Sequence, residues 1–195
     1  MKEERIEETG QYLTFTLDEE VFALEISRVR EVLDYMPITR VPRMPEFMRG
    51  VINVRGGVVP VLDLRLKLGM TATRKTRDTC IIIVEPQVEG ETARFGALAD
   101  SVQEVLALDP SDILPPPRLG SGMRTEFIRN MARRDDGRFL IILDIRKVFS
   151  REELSEALDV EALPGEEEGE GEGMIPRETG ASPAASAPSG GAAIV

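Results

Sequence analysis

Carboxylate and thiol side chains are the groups in this chain that could do chemistry, because its 195 residues include no histidine. Histidine is the usual general base near neutral pH and the commonest ligand of transition metals, so its absence argues against an enzyme. The single cysteine, Cys80, begins an apolar run and has no histidine to activate it. We interpret it as an inert buried residue, and we predict no catalytic residue, no metal site and no cofactor.

Asp63 and Asp144 could be imagined as a pair of catalytic carboxylates. Each stands before Leu-Arg or Ile-Arg at the start of a short apolar stretch. Capping of a helix N-terminus explains both positions more simply than catalysis does. The chain also lacks a glycine-rich loop that ends in Gly-Lys-Ser or Gly-Lys-Thr, which would hold a phosphate. A carboxylate-dependent enzyme therefore stays open only as a weak alternative.

Glu31 and Arg55 are a second candidate pair of charges. Glu31 lies in an apolar segment, VREVL, where a charge would need a partner. Arg55 begins Arg-Gly-Gly between the apolar runs at 51–54 and 58–62, which predicts a tight hairpin turn. We predict that these two side chains form an ion pair.

The composition excludes several other classes of protein. The net charge of −11 argues against binding to nucleic acid or to anionic lipid. The chain has no apolar run of about 18 residues, so we predict no direct membrane insertion. A lone cysteine cannot form an internal disulfide, which fits a cytoplasmic protein.

The elements that must position these residues are mostly strands, and they occur twice. Residues 22–33 read FALEISRVREVL and residues 95–106 read FGALADSVQEVL, with five identities at a constant offset of 73. The hairpins at 47–68 and 127–149 also match, from Phe-x-Arg to Asp-Leu-Arg or Asp-Ile-Arg. We infer an internal duplication. The two units of about 12–75 and 78–149 are expected to pack on each other and leave a cleft between them.

Shorter features complete the predicted organisation. Pro45 to Arg49 is predicted as one helical turn stopped by Gly50. Ser150 and Glu153 predict a capped final helix, which closes a domain of residues 10–158. Residues 160–195 are rich in Glu, Gly, Ala, Pro and Ser, and are predicted to be a disordered acidic tail.

These blocks resemble one known family. The stretch GVINVRGGVVPVLDLR after Phe47-x-Arg-Gly, the opening YLTFTLDEEVFALEISRVREVL, the block ALADSVQEVLALDPSDILPPP and the strand FLIILDIRKVF closely resemble the CheW-like family of bacterial chemotaxis coupling proteins. The likeness covers about residues 10–155. It implies a mostly β fold of two linked five-stranded SH3-like β-barrels with short helices and a C-terminal helix.

The resemblance also implies a function. Members are non-enzymatic adaptors that join methyl-accepting chemoreceptors to the regulatory domain of the histidine kinase CheA, in the cytoplasm at membrane-associated receptor arrays. The motifs place the receptor-binding groove at Val29, Gly50, Val102 and Val105. Glu31 and Arg55 would form the ion pair that supports this surface, and Cys80 would lie near it.

Other readings of the same domain remain open. It could be the scaffold of another chemosensory pathway, such as one for pili or development. A fragment of the kinase would need an upstream catalytic domain, and a CheV-like coupler would need a phosphoacceptor domain after residue 160. Neither pattern is seen in the sequence, so a separate adaptor is the favoured prediction.

Overall fold

Strands dominate the computed structural model, which describes residues 9–88, 91–116, 125–134 and 136–148. This confirms the predicted mostly β class. The predicted final helix and the acidic tail lie outside the described residues. The described residues form thirteen strands: β1 Gly10–Leu17, β2 Glu20–Glu25, β3 Val29–Asp34, β4 Met48–Val54, β5 Gly57–Asp63, β6 Cys80–Val84, β7 Gln87–Val88, β8 Glu91–Thr92, β9 Phe95–Ala99, β10 Ser101–Leu108, β11 Ile113–Leu114, β12 Ile128–Arg133 and β13 Phe139–Leu143.

The helices are short, as predicted. α1 spans Leu64–Lys67 and α2 spans Ile145–Val148, each directly after a hairpin. Asp63 caps α1, since its side chain accepts hydrogen bonds from the N–H groups of Arg65 and Leu66. Three-residue 3-10 turns at Ile26–Arg28, Pro110–Asp112 and Thr125–Phe127 connect strands.

The strands form two large sheets and one small hairpin. The first sheet has the order β10-β1-β2-β13-β12-β11, and the second has the order β3-β6-β9-β5-β4. The second sheet has the five strands that were predicted, and the first gains a sixth from the two-residue β11. The counterpart of β11 in the second sheet is a single bridge between Thr39 and Val51.

Each sheet takes strands from both halves of the sequence. β1 and β2 from the first half join β10 to β13 from the second half, while β6 and β9 join β3 to β5. Residues 12–75 and 78–149 therefore do not fold into one sheet each. The reason is the chain crossing inside each copy of the repeat. It passes from sheet to sheet at Ile26–Arg28 in the first copy and at Asp100 in the second.

The duplication itself is visible in the strand registers. Parallel pairing sets Val61 opposite Gly96 in the second sheet and Ile142 opposite Ala23 in the first, and these are equivalent positions of the two copies. The hairpins β4–β5 and β12–β13 also share an irregular register, between Met48 and Gly50 and between Ile128 and Asn130. Both sheets thus have the same pattern of strand pairing, and each sheet combines strands from the two copies of the repeat.

The core has three parts, because strand side chains alternate between the faces of a sheet. In β9, Phe95 and Ala97 face a large shared cluster, while Leu98 faces a cluster that belongs to the second sheet. The shared cluster also contains Phe15 and Phe22 from the first sheet. A third cluster covers the other face of the first sheet. The two sheets therefore bury a common face.

The predicted helical turn at Pro45–Arg49 is wrong. Residues 46 and 47 form a turn and Met48 already begins β4, so Gly50 lies inside a strand and stops no helix. The alternation of buried and partly buried residues in β4 shows that packing of the strand overrides the local Pro and Gly signals.

Candidate functional site

Two edge strands carry the predicted site residues. β3 is the outer strand of the second sheet, and β10 is the outer strand of the first. Both begin directly after the crossing between sheets, and both hold the repeated pattern Val-x-x-Val, at Val29 and Val32 and at Val102 and Val105. The structure thus gives each sheet one copy of the same exposed edge.

The first valine of each pattern is partly buried. Val29 lies opposite Val84, and Val102 lies opposite Phe15. Both valines pack against the core cluster that the two sheets share. They anchor the edge strands to that common core and offer a partner only part of their surface.

The second valine of each pattern is exposed. Among the described residues only three large apolar side chains are exposed, namely Val32, Val105 and Phe139. Val32 is 41% exposed and Val105 is 47% exposed. Sequence reasoning selected Val105 but missed Val32, although the constant offset of 73 makes the two equivalent. Val32 and Val105 are therefore exposed apolar side chains at equivalent positions on two sheet edges.

Gly50 is buried, and its backbone is held by a close approach. Its φ is +135°, and a Cβ atom there would lie 2.0 Å from the carbonyl oxygen of Thr39. A side chain is excluded by both the φ angle and the contact. Gly50 therefore lets the 39–51 bridge close and presents no side chain to a partner.

Glu31 and Arg55 are brought together at the surface. Arg55 Nη2 donates to Glu31 Oε2 at 2.9 Å. Arg55 sits in the two-residue β4–β5 turn with φ 53°, and Gly56 follows with φ 84°. This left-handed pair of residues is the turn that two-residue hairpins favour, and the side chain of Asn53 accepts from the Gly56 N–H to complete it. The turn thus aims Arg55 at the edge strand that carries Glu31.

Cys80 lies at the junction of the two sheets. It begins β6 opposite Asp34, and its thiol lies against the backbone N–H of Val102. Burial raises the pKa of the Cys80 thiol to about 11, with a smaller upward effect from Asp100 and Asp34 and an opposing one from the Val102 N–H. The thiol is neutral at physiological pH, so the structure supports an inert packing role.

Asp63 and Asp144 do not form a carboxylate pair for catalysis. Asp63 is fully buried and accepts five hydrogen bonds from Arg49, Arg65, Leu66 and Thr73. Asp144 accepts from the N–H and the side chain of Arg146. The lone pairs of Asp63 are all engaged, so this carboxylate cannot act as a base without breaking the structure around it.

A polar cleft lies next to Asp144, and none of the predicted groove residues is in its described lining. It opens between the ends of β2 and β13 and the start of α2. Among the described residues, no cluster of His, Cys, Asp and Glu could hold a metal ion. No helix in the described part of the chain is long and apolar enough to cross a membrane.

Fold and site together define a duplicated, two-sheet binding module with an apolar position repeated on two sheet edges. The comparisons identify which family of modules this is. The model of the CheW-like domain matches residues 11–153, and the chain belongs to that family.

Relatives and a solved structure agree with the family. The chain is 33% identical over 150 residues to the chemotaxis protein CheW of Klebsiella aerogenes, which covers 76% of this chain and 87% of the relative. It is 32% identical over 143 residues to chemotaxis protein CheW of Rhizobium meliloti, with 73% and 89% covered. The crystal structure of scaffolding protein TtCheW from Thermoanaerobacter tengcongensis matches with a TM-score of 0.65 at 36% identity, over 73% of this chain and 94% of that one.

The comparisons confirm the predicted family and fold class. Because these relatives bear the names of chemotaxis and scaffolding proteins, the prediction of a non-enzymatic protein is confirmed by the family as well. The roles of the individual site residues remain predictions.

Proposed function

We propose that this chain is the adaptor that couples methyl-accepting chemoreceptors to the histidine kinase CheA in chemotaxis. The observation that carries the proposal is the family match, which spans residues 11–153 and so includes every described strand except the first residue of β1. The adaptor would work in the cytoplasm at membrane-associated receptor arrays. It would bind the regulatory domain of the kinase and the cytoplasmic tip of the receptor.

The repeated edge supports a place for the receptor. An amphipathic helix binds through apolar anchors at helical intervals in a groove. Exposed Val32 and Val105 offer such anchors on both sheets. Val29 and Val102 lie on the same two strands and pack against the shared core, and Gly50 lies in β4. The pair of Glu31 and Arg55 lies on the same edge as Val32 and would fix its charge pattern.

A reconstituted array tests the proposal. The full chain is mixed with CheA and with vesicles that carry a receptor cytoplasmic fragment, and co-sedimentation and kinase autophosphorylation are measured. Val105→Asp should abolish co-sedimentation with the receptor vesicles and the change in kinase activity, since it places a charge on the apolar anchor.

Thr92→Asp is the matched control. Thr92 is an exposed strand residue in the small β7–β8 hairpin, outside both edge strands, and its variant should behave like the parent chain. If the parent chain neither binds the vesicles nor alters kinase activity, the adaptor function is wrong. If Val105→Asp still binds fully, the function stands but the edge is not the receptor site.

A further inference from the structure

The polar cleft beside Asp144 has a composition that the adaptor function does not use. Its lining combines three arginines, two acidic residues and three apolar residues, which are Arg28, Arg129, Arg146, Glu25, Asp144, Leu24, Leu143 and Ile145. The arginines exceed the acids by one (3 − 2) in a chain whose net charge is −11. A local positive excess on an acidic protein marks a place that attracts anions.

The charges in the cleft are unevenly paired. Arg129 Nη1 lies 2.5 Å from Glu25 Oε1, and Arg146 Nε lies 3.3 Å from Asp144 Oδ1. Arg28 is half-buried and has no ion pair with any other described residue. A half-buried guanidinium that lacks an anion is partly desolvated without compensation, so an added carboxylate would be bound favourably.

The first copy of the repeat shows what closes such a cleft. Arg65 is the equivalent of Arg146, since each follows a capping aspartate by two residues. Arg65 Nη1 lies 3.0 Å from Asp100, and Arg65 Nη2 lies 3.4 Å from Asp18. Arg65 also donates to the backbone and side-chain oxygens of Thr71, and its side chain is only 11% exposed, whereas that of Arg146 is 51% exposed.

Among the described residues, no carboxylate of the second cleft takes the place that Asp100 has beside Arg65. Asp100, which pairs with Arg65, lies in the second copy of the repeat, and the offset of 73 makes Ser27 of the first copy its equivalent. Arg28 follows Ser27 at the position that corresponds to Ser101. A serine and an extra positive charge therefore replace an acid. Arg146 thus occupies the position of Arg65 without a described counterpart of Asp100.

We propose that the cleft binds carboxylate side chains of the chain's own glutamate-rich segment, GEEEGEGEG at residues 165–173. That segment has five glutamates and no basic residue. The described fold ends at Val148, two residues after Arg146, and about sixteen residues link it to Gly165. Such a tether gives an effective concentration on the order of mM, so even a weak carboxylate site fills.

Arginine suits this ligand because its planar guanidinium binds carboxylates through two parallel hydrogen bonds. Arg28 and the exposed part of Arg146 are the groups expected to make these bonds. This inference is independent of the adaptor function, because it concerns a contact within the chain.

Paramagnetic NMR on the full chain tests the contact. A spin label is attached to Met174→Cys, next to the acidic segment, while Cys80 stays unlabelled at neutral pH because burial raises its pKa to about 11. Backbone amide signals of Arg28, Ile145 and Arg146 should broaden at low salt. The broadening should fade as added salt screens the charges.

Two variants must remove the broadening if the proposal holds. One is Arg28→Gln, which breaks no ion pair of the described structure. The other changes the five glutamates Glu166, Glu167, Glu168, Glu170 and Glu172 to glutamine and leaves the cleft intact. Arg77→Gln is the control, because it removes one exposed charge outside the cleft and should keep the broadening.

Three results would overturn the proposal. The first is an absence of broadening at the cleft in the parent chain. The second is broadening that persists when the five glutamates are neutralised. The third appears when spin-labelled chain is mixed with isotope-labelled chain: equal broadening in the mixture would mean that a second copy supplies the carboxylates.

Discussion

The segments Asp63-Leu64-Arg65 and Asp144-Ile145-Arg146 are the same motif in two different surroundings. In both, the aspartate accepts from a backbone N–H at the start of a short helix. In the first copy the arginine is held by Asp100 and Asp18, and the aspartate by Arg49 and Thr73. In the second copy Arg129 forms an ion pair with Glu25, and Arg146 forms one only with Asp144 among the described residues.

The difference lies in residues outside the motif. At the offset of 73, Glu25 in the first copy corresponds to Leu98 in the second, and Ser27 corresponds to Asp100. The two copies keep the same backbone pairing but differ at the positions where the chain passes between the sheets. In one copy Arg65 is buried by ion pairs, and in the other Arg146 lines an open cleft. Matched substitutions in the two copies can break or sharpen this comparison.

The largest effect is expected for Asp63→Ala. It removes five hydrogen bonds and leaves Arg49 and Thr73 without their buried acceptor, so the free energy of unfolding should fall by about 3–5 kcal/mol. Asp144→Ala removes a helix cap and exposed ion pairs and should lower it by about 1–2 kcal/mol. Urea unfolding followed by circular dichroism measures both. Equal losses would show that the two copies are equally locked.

Gly50→Ala should be the next most damaging change. The new Cβ would meet the Thr39 carbonyl oxygen at 2.0 Å, and a φ of +135° is strained for any side chain. Together these effects should lower the free energy of unfolding by about 2–4 kcal/mol.

Asn130 is the equivalent position in the second copy, and it provides the control. Its side chain donates to the Leu114 carbonyl at 3.3 Å, so Asn130→Ala loses one hydrogen bond, about 1 kcal/mol. If Gly50→Ala unfolds at the same urea concentration as the parent chain but loses receptor binding, then Gly50 acts directly at the site and the structural explanation is wrong.

The two valines of each edge should separate stability from binding. Val29→Asp and Val102→Asp place a charge against the shared core and should lower the free energy of unfolding by about 2–3 kcal/mol. Val32→Asp and Val105→Asp change exposed residues and should cost less than about 1 kcal/mol.

Thermal unfolding and co-sedimentation with receptor vesicles, measured on all four variants, resolve the two effects. The exposed pair should lose binding while the melting temperature stays nearly unchanged. Full binding by both exposed variants would move the receptor site away from the edges.

The sequence carried enough information for the family, the strands and the hairpin turns. Periodic apolar runs, the Arg-Gly-Gly turn and the capping Asp63 are local signals, and each led to the observed element. The same logic failed at Pro45–Arg49, where Pro and Gly suggested a helix but pairing with β5 imposes a strand.

The exchange of strands between the two halves was not predictable from the repeat. Sequence similarity shows that two segments have one structure, but it does not show which sheet each strand joins. That choice depends on the crossing at Ile26–Arg28 and at Asp100, where the chain changes sheets. The burial that separates Val29 from Val32 likewise follows from the three-dimensional core.

The smallest effect is expected for the ion pair of Glu31 and Arg55. Arg55 is 78% exposed, so solvent and salt screen the interaction, and a double-mutant cycle with Glu31→Gln and Arg55→Gln should give a coupling of about 0.2–1 kcal/mol. Glu104, the equivalent of Glu31, has no ion pair with another described residue, and Glu104→Gln should leave the free energy of unfolding unchanged within about 0.5 kcal/mol. The coupling should vanish in high salt, because both partners reach solvent.

If breaking the pair of Glu31 and Arg55 abolishes receptor binding despite so small a loss of stability, then its role is to shape the β3 edge. If binding also survives, then the asymmetry between Glu31 and Glu104 has no consequence for the receptor.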